Sequence, residues 1–195
     1  MSCFRSFEPR AAAGGRRGFL KRLVVVGAAG MLTNPVLAGV PASLSRSSGA
    51  RELSFLNLHT GERLRASYWE DGHYLDDALD AIYRVLRDHR ANVVHAIDTQ
   101  LLDLLTGLQA TIGSSRSYEV ISGYRAPSTN EMLRAHSSGV ARGSLHLQGK
   151  AIDIRLPGTG LLDLHSAAVG LRGGGVGLYR SSNFIHVDTG RVRYW

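Results

Sequence analysis

The chain has 195 residues, 23 of them basic and 16 acidic, for a formal charge of +7. Six of the basic residues and one acid, Glu8, fall within residues 1–38, so the rest carries 17 basic and 15 acidic side chains, about +2; the charge then gives no argument for a nucleic-acid partner, and none is expected. Cys3 is the only cysteine, which excludes a disulfide-stapled scaffold and leaves stability to a packed core.

Arg16-Arg17-Gly18-Phe19-Leu20-Lys21-Arg22 runs into an apolar segment at 23–32 and then into Val36-Leu37-Ala38, the basic, apolar and small-residue plan of an export signal. Its paired arginines resemble a twin-arginine signal, so a periplasmic destination is expected, with cleavage after Ala38 or, failing that, Ala42. The apolar run is far shorter than the ~20 residues a spanning helix needs, and no stable membrane span is expected after cleavage. Residues 39–50, dominated by Ser, Gly, Ala and Pro, read as a flexible tether. That leaves 51–195 as one domain; its oligomeric state is not written in the sequence.

Residues 52–57 and 62–69 alternate apolar and polar side chains around His59-Thr60-Gly61, the pattern of a β-hairpin. Leu75, Leu79, Ile82, Tyr83 and Leu86 recur at the spacing of one helix face, which predicts a helix over 75–87. Asp98 is placed to cap a second helix that runs through Ile112 and stops at Gly113. A short strand is expected over 118–122, a brief helix over 130–136, a strand over 151–155 and a helix over 161–171. A final pair of strands, 176–179 and 184–188, is joined by Arg180-Ser181-Ser182-Asn183. Helices first and strands mostly later argue for an α+β fold, an antiparallel sheet with flanking helices.

The chemistry concentrates in S-L-H-L-Q-G-K-A-I-D, residues 144–153, and N-F-I-H-V-D, residues 183–188. His146 precedes a glycine turn and Asp153 lies on the strand after it, so a tight bend brings both to one point. A carboxylate amid Ala-Ile-Asp-Ile on a central strand needs something positive beside it, a metal or an arginine. Period-two alternation puts His186 and Asp188 on one strand face. His146, Asp153 and His186 together offer two imidazoles and one carboxylate, a set that suits zinc and leaves a coordination position open, as hydrolysis requires. His165, on the 161–171 helix, is a reserve acid–base candidate; His59, His73, His89, His95 and His136 have no partners at ligand spacing.

With S-G-Y-R at 122–125, S-x-H-x-x-G-x-A-x-D at 144–153 and a late strand histidine, the chain resembles the D-alanyl-D-alanine metallopeptidases and their relatives, whose hedgehog/DD-peptidase zinc fold is shared with lysostaphin-type enzymes and sonic hedgehog. The stretches S-G-Y-R-A-P-S-T-N-E-M-L-R and N-F-I-H-V-D-T-G-R-V-R-Y-W are most similar to the exported, murein-cleaving branch. The resemblance implies zinc on His146, Asp153 and His186, peptidoglycan as substrate, and Arg125 as a catalytic and substrate-binding side chain, with Tyr124 and Ser144 as further substrate contacts. Ser144 is equally suited to forming a turn. Many such enzymes carry a catalytic Glu three residues before the last metal histidine, or a His two before it; here those positions are Asn183 and Phe184. Asp188 is then the candidate general base, or instead the partner that orients His186. The implied function is a zinc-dependent endopeptidase of stem-peptide cross-links, with the bond between two diaminopimelates favoured. An inactive cell-wall or protein-binding module and a D-Ala carboxypeptidase are the alternatives.

Overall fold

The computed structural model describes residues 49–137 and 139–195. The export signal and the tether up to residue 48 lie outside the described residues; Gly49 and Ala50 are exposed and without regular structure. Among the described residues, eight strands form one sheet in the order β3-β2-β1-β4-β5-β7-β6-β8. The strands are β1 (Arg51–Asn57), β2 (Arg63–Glu70), β3 (His73–Tyr74), β4 (Tyr118–Ser122), β5 (Ala151–Arg155), β6 (Gly175–Tyr179), β7 (Phe184–Asp188) and β8 (Arg193–Tyr194). Four helices accompany them, α1 (Asp76–Val85), α2 (Thr99–Ile112), α3 (Pro127–His136) and α4 (Leu161–Leu171), with a four-residue 3-10 helix at Leu145–Gln148.

The sheet is mixed where an antiparallel one was expected: β1 pairs with β4, and β6 with β8, in parallel. The first junction follows from chain direction, because α1 and α2 lie between the opening hairpin and β4 and make the crossover that a parallel return needs. α1 stops at Val85, two residues short of the expected end at residue 87. The chain turns there because the Leu86 carbonyl accepts from the Tyr124 amide at 2.8 Å. α3 starts at Pro127, three residues early, since proline at the first helical position loses no hydrogen bond. Asp98 caps α2 by accepting from the Gln100 amide at 3.0 Å, and Gly113 ends it in the left-handed conformation.

Register on the central strands positions the site. Ile152 faces Val187 and Ile154 faces Ile185 across β5 and β7, and all four are buried in the core that α2 and α4 help to build with Leu101, Leu102, Leu105, Leu108 and Leu164. The intervening residues point the other way. Asp153 is the direct cross-strand partner of His186, and Ala151 that of Asp188. Among the described residues no helix is long and apolar enough to cross a membrane.

Candidate metal centre

Three segments meet on the polar face of β5 and β7. The 3-10 turn presents His146, and Gly149, left-handed at φ 66°, reverses the chain into β5. Side chain at position 149 is excluded by contact with the Ala96 carbonyl oxygen. His146, Asp153 and His186 are all buried and offer one donor atom each to a common point. His146 Nε2 lies 3.2 Å from His186 Nδ1 and 3.3 Å from Asp153 Oδ1, and His186 Nδ1 lies 2.8 Å from Asp153 Oδ1. Tetrahedral zinc with bonds near 2.0–2.1 Å needs ligand atoms about 3.3 Å apart.

The outward-facing nitrogens decide the tautomers. His146 Nδ1 sits 2.7 Å from the Gly123 carbonyl, which only accepts, so it carries the proton. His186 Nε2 sits 2.9 Å from Asp188 Oδ2 and carries the proton for the same reason. With the imidazoles neutral, His146 Nε2 and His186 Nδ1 then turn lone pairs toward Asp153 Oδ1. Three lone pairs converging in a buried space repel unless a cation stands among them, so the donor set fits a zinc ion.

Burial disfavours charge on Asp153, but His146 and His186 outweigh it and hold the carboxyl below its usual range. Without a metal, burial opposes charge on His186, but a protonated ring donates to both Asp153 and Asp188, which raises its pKa above the usual value; a cation among the three donors takes the place of that proton. Arg125 stands on the far side of Asp153, with Nη2 3.8 Å from Oδ2. Its guanidinium donates to Asn130 Oδ1 at 3.4 Å and to Ser122 Oγ at 3.3 Å. Burial lowers its pKa and Asp153 opposes this, but a guanidinium stays charged.

The loop that carries Arg125 is pinned from behind. Asp88, buried just past α1, accepts from the Ala126 amide at 2.7 Å through Oδ2 and from the Arg90 and Ala91 amides at 2.8 and 3.1 Å through Oδ1. A Cβ on Gly123 would run into the Leu86 carbonyl, so glycine lets the loop reach the turn beneath it. One short segment thereby sets both the Gly123 carbonyl that orients His146 and the Arg125 side chain.

A cleft of about 460 Å³ opens over the cluster, lined by Arg125, Ser144, His146, Asp153 and His186, by Ser137, Gly139, Val140, Ala141 and Gly143, and by Tyr179, Phe184, Arg193 and Trp195. That volume suits a small-ligand or peptide segment. Tyr179 stacks on Phe184 with centroids 4.6 Å apart. Trp195 donates its indole N–H to the Tyr179 hydroxyl at 3.1 Å and lies 5.3 Å from the His186 ring.

Two sequence expectations need correction. Tyr124 does not reach the cleft: it is 7% exposed, belongs to the core and stacks on His95 at 4.5 Å. Asp188 is not placed as a general base, because it is 0% exposed, faces His186 from the side away from the cluster and has both oxygens filled. Oδ1 accepts from the Gly175 and Gly190 amides and Arg193 Nη1; Oδ2 accepts from His186 and, at 2.6 Å, from Arg193 Nη2. Burial raises its pKa, and the bonds from His186, Arg193 and the two amides more than reverse this. Ser144 both precedes the 3-10 turn and lines the cleft. His165 lies on α4 outside the cleft lining. Asp88, Asn130, Arg193 and the aromatic wall were not expected: Asp88 reaches Ala126, 38 residues on, and Asn130 and Arg193 meet Arg125 and Asp188 across turns that no helix or strand period marks.

The family model described as peptidoglycan L,D-endopeptidase MepK matches residues 45–195. The peptidoglycan L,D-endopeptidase MepK of Escherichia coli strain K12 is 39% identical over 176 residues, 90% of this chain and 96% of the relative. The protein of that name from Shigella flexneri is equally similar. The probable peptidoglycan L,D-endopeptidase MepK of Haemophilus influenzae is 43% identical over 166 residues, 85% of this chain and 87% of the relative. No solved structure matches the chain.

Proposed function

The chain belongs to the peptidoglycan L,D-endopeptidase MepK family and is a peptidoglycan hydrolase, and from that premise we propose that it holds one zinc ion on His146, Asp153 and His186 and cleaves stem-peptide cross-links at the bond between two diaminopimelates. We place it in the periplasm, reached by the twin-arginine route, and assign it the hedgehog/DD-peptidase-like fold. The observation that carries the metal reading is the convergence of three buried ligand atoms, with both outward imidazole nitrogens facing acceptors.

The chemistry that zinc supplies at such a donor set is polarisation of an amide carbonyl and activation of water for attack. In the hydrolysis, water oxygen bonds to the carbonyl carbon, the C–N bond breaks and a proton passes to the leaving nitrogen. Arg125 binds a substrate carbonyl or carboxylate through its planar fork, stabilising negative charge as it develops; Asn130 and Ser122 hold that fork in place. Ser144 contributes a hydroxyl to the cleft wall. Tyr179, Phe184 and Trp195 supply an aromatic wall of the same cleft, against which the apolar parts of a substrate can pack. Asp188 acts as the acceptor that keeps the His186 proton on Nε2.

Metal analysis of purified wild-type protein and of His146→Ala, Asp153→Ala and His186→Ala tests the assignment. One equivalent of zinc in the wild type, and loss of it in each folded variant, is expected. Wild-type protein that binds no zinc, or variants that keep a full equivalent, would overturn it.

A further inference from the structure

We infer that Arg193, on the two-residue strand β8, is a positioning residue for the metal centre: it clamps Asp188 so that its Oδ2 is presented to His186 Nε2–H. The inference rests on the metal reading above. Asp188 is fully buried, and its carboxylate plane is set by the two-point grip of Arg193, Nη1 to Oδ1 at 3.0 Å and Nη2 to Oδ2 at 2.6 Å. A planar guanidinium gripping both oxygens fixes orientation as a point charge does not. The oxygen held by Nη2 is the one that accepts from His186, so arginine, carboxylate and imidazole form one chain ending at His186 Nδ1 in the cluster.

The surroundings are built for that grip. A Cβ on Gly175 would run into both Arg193 Nη1 and Asp188 Oδ2, so only glycine leaves room for the pair there. A Cβ on Gly190 would lie 3.0 Å from Asp188 Oδ1 and 3.3 Å from Arg193 Nη1. The guanidinium is held from outside by the Trp195 ring, 4.9 Å from its centroid, and that same indole lies against His186. Trp195 is itself tied to β6, its amide donating to the Val176 carbonyl and its carbonyl accepting from the Leu178 amide. β8 thus carries a device that reaches the metal ligand from behind while Arg193 also lines the cleft.

The test compares wild type with Arg193→Gln, Arg193→Lys and Gly175→Ala, the last leaving Arg193 in the sequence but pushing its guanidinium off Asp188. Zinc affinity is read by competition with a chromophoric chelator, and ligand geometry by the visible absorption of the cobalt-substituted proteins; circular dichroism confirms folding. Arg193→Gln and Gly175→Ala should each weaken zinc binding roughly 10- to 100-fold and shift or broaden the cobalt bands, with kcat lowered more than KM, as loss of a ligand's outer partner does. Arg193→Lys should restore part of the affinity. If Gly175→Ala fails to fold, the two Arg193 variants decide the matter. Variants that keep wild-type zinc affinity and cobalt spectra overturn the role of Arg193 alone; wild-type protein that takes up no zinc overturns the metal reading and this inference with it.

Discussion

Replacing Asp88 with Asn tests whether the loop bearing Arg125 is held from the turn after α1. Asp88 lies outside the cleft lining, so any effect on the centre must travel through the backbone. An asparagine has one acceptor oxygen. If it keeps the Arg90 and Ala91 amides, its NH2 group faces the Ala126 N–H, and a buried donor pair replaces a 2.7 Å charge-assisted bond. Leaving such a donor unpaired and losing the charge costs about 2–3 kcal/mol, which lowers Tm by on the order of 5–10 °C for a domain of this size. The pH dependence has a definite sign. Burial opposes the charge on Asp88, but bonds from Thr129 and from the Ala126, Ala91 and Arg90 amides outweigh it, so its pKa is lowered. Stability from a depressed carboxylate is fully present above its unfolded pKa of about 4 and is lost as pH falls through the folded value. The gap between wild type and variant should therefore be full at pH 7 and shrink in acid. Urea unfolding at several pH values measures it, and zinc competition should show weaker binding at pH 7 because the Gly123 carbonyl moves away from His146. Equal unfolding midpoints for the two proteins at pH 7 would refute the reasoning.

Arg125→Lys should lower kcat/KM about 10²- to 10³-fold, the usual loss for a charge-stabilising donor, while zinc content stays at one equivalent; steady-state assays on a defined cross-linked peptide check it. Asp188→Asn should weaken zinc binding roughly 10- to 100-fold, measured by chelator competition, whereas a general-base role would leave zinc affinity unchanged and abolish turnover. Gly149→Ala combines a left-handed backbone costing about 1–2 kcal/mol with a collision at the Ala96 carbonyl; thermal unfolding should show strong destabilisation, and zinc should be lost with it, since that turn joins His146 to Asp153.

The three proposed ligands were legible because each is a polar residue where local pattern demands an apolar one or a turn: Asp153 amid Ala-Ile-Asp-Ile, His186 on an alternating strand, His146 before a glycine. Their meeting follows from the β5–β7 register. The role of Asp88 was hidden because its partner is remote, while Asn130 and Arg193 meet partners only five residues away at spacings that follow no helix or strand period. Asp88 acts on Ala126, 38 residues on, and nothing near either residue announces the pairing. Asp188 shows the limit of alternation: it states correctly that Asp188 shares a face with His186, but that part of the face is covered by Gly175 of β6 and Arg193 of β8, which turns an expected base into a buried acceptor. Tyr124 failed similarly, because successive residues of the Gly123–Ala126 loop point in opposite directions, sending Tyr124 into the core and Arg125 into the cleft. The strands β3 and β8 are two residues long, too short for any periodicity to mark.

The most direct measurement is digestion of purified peptidoglycan by the zinc-loaded protein, with muropeptides resolved by chromatography and mass spectrometry, in the presence of a chelator and after zinc is restored. The account predicts that cross-linked dimers disappear, that the product masses place the cut between two diaminopimelates, and that chelation stops the reaction and zinc revives it. Dimers that persist under a full equivalent of bound zinc, or digestion that survives complete removal of metal, would contradict it.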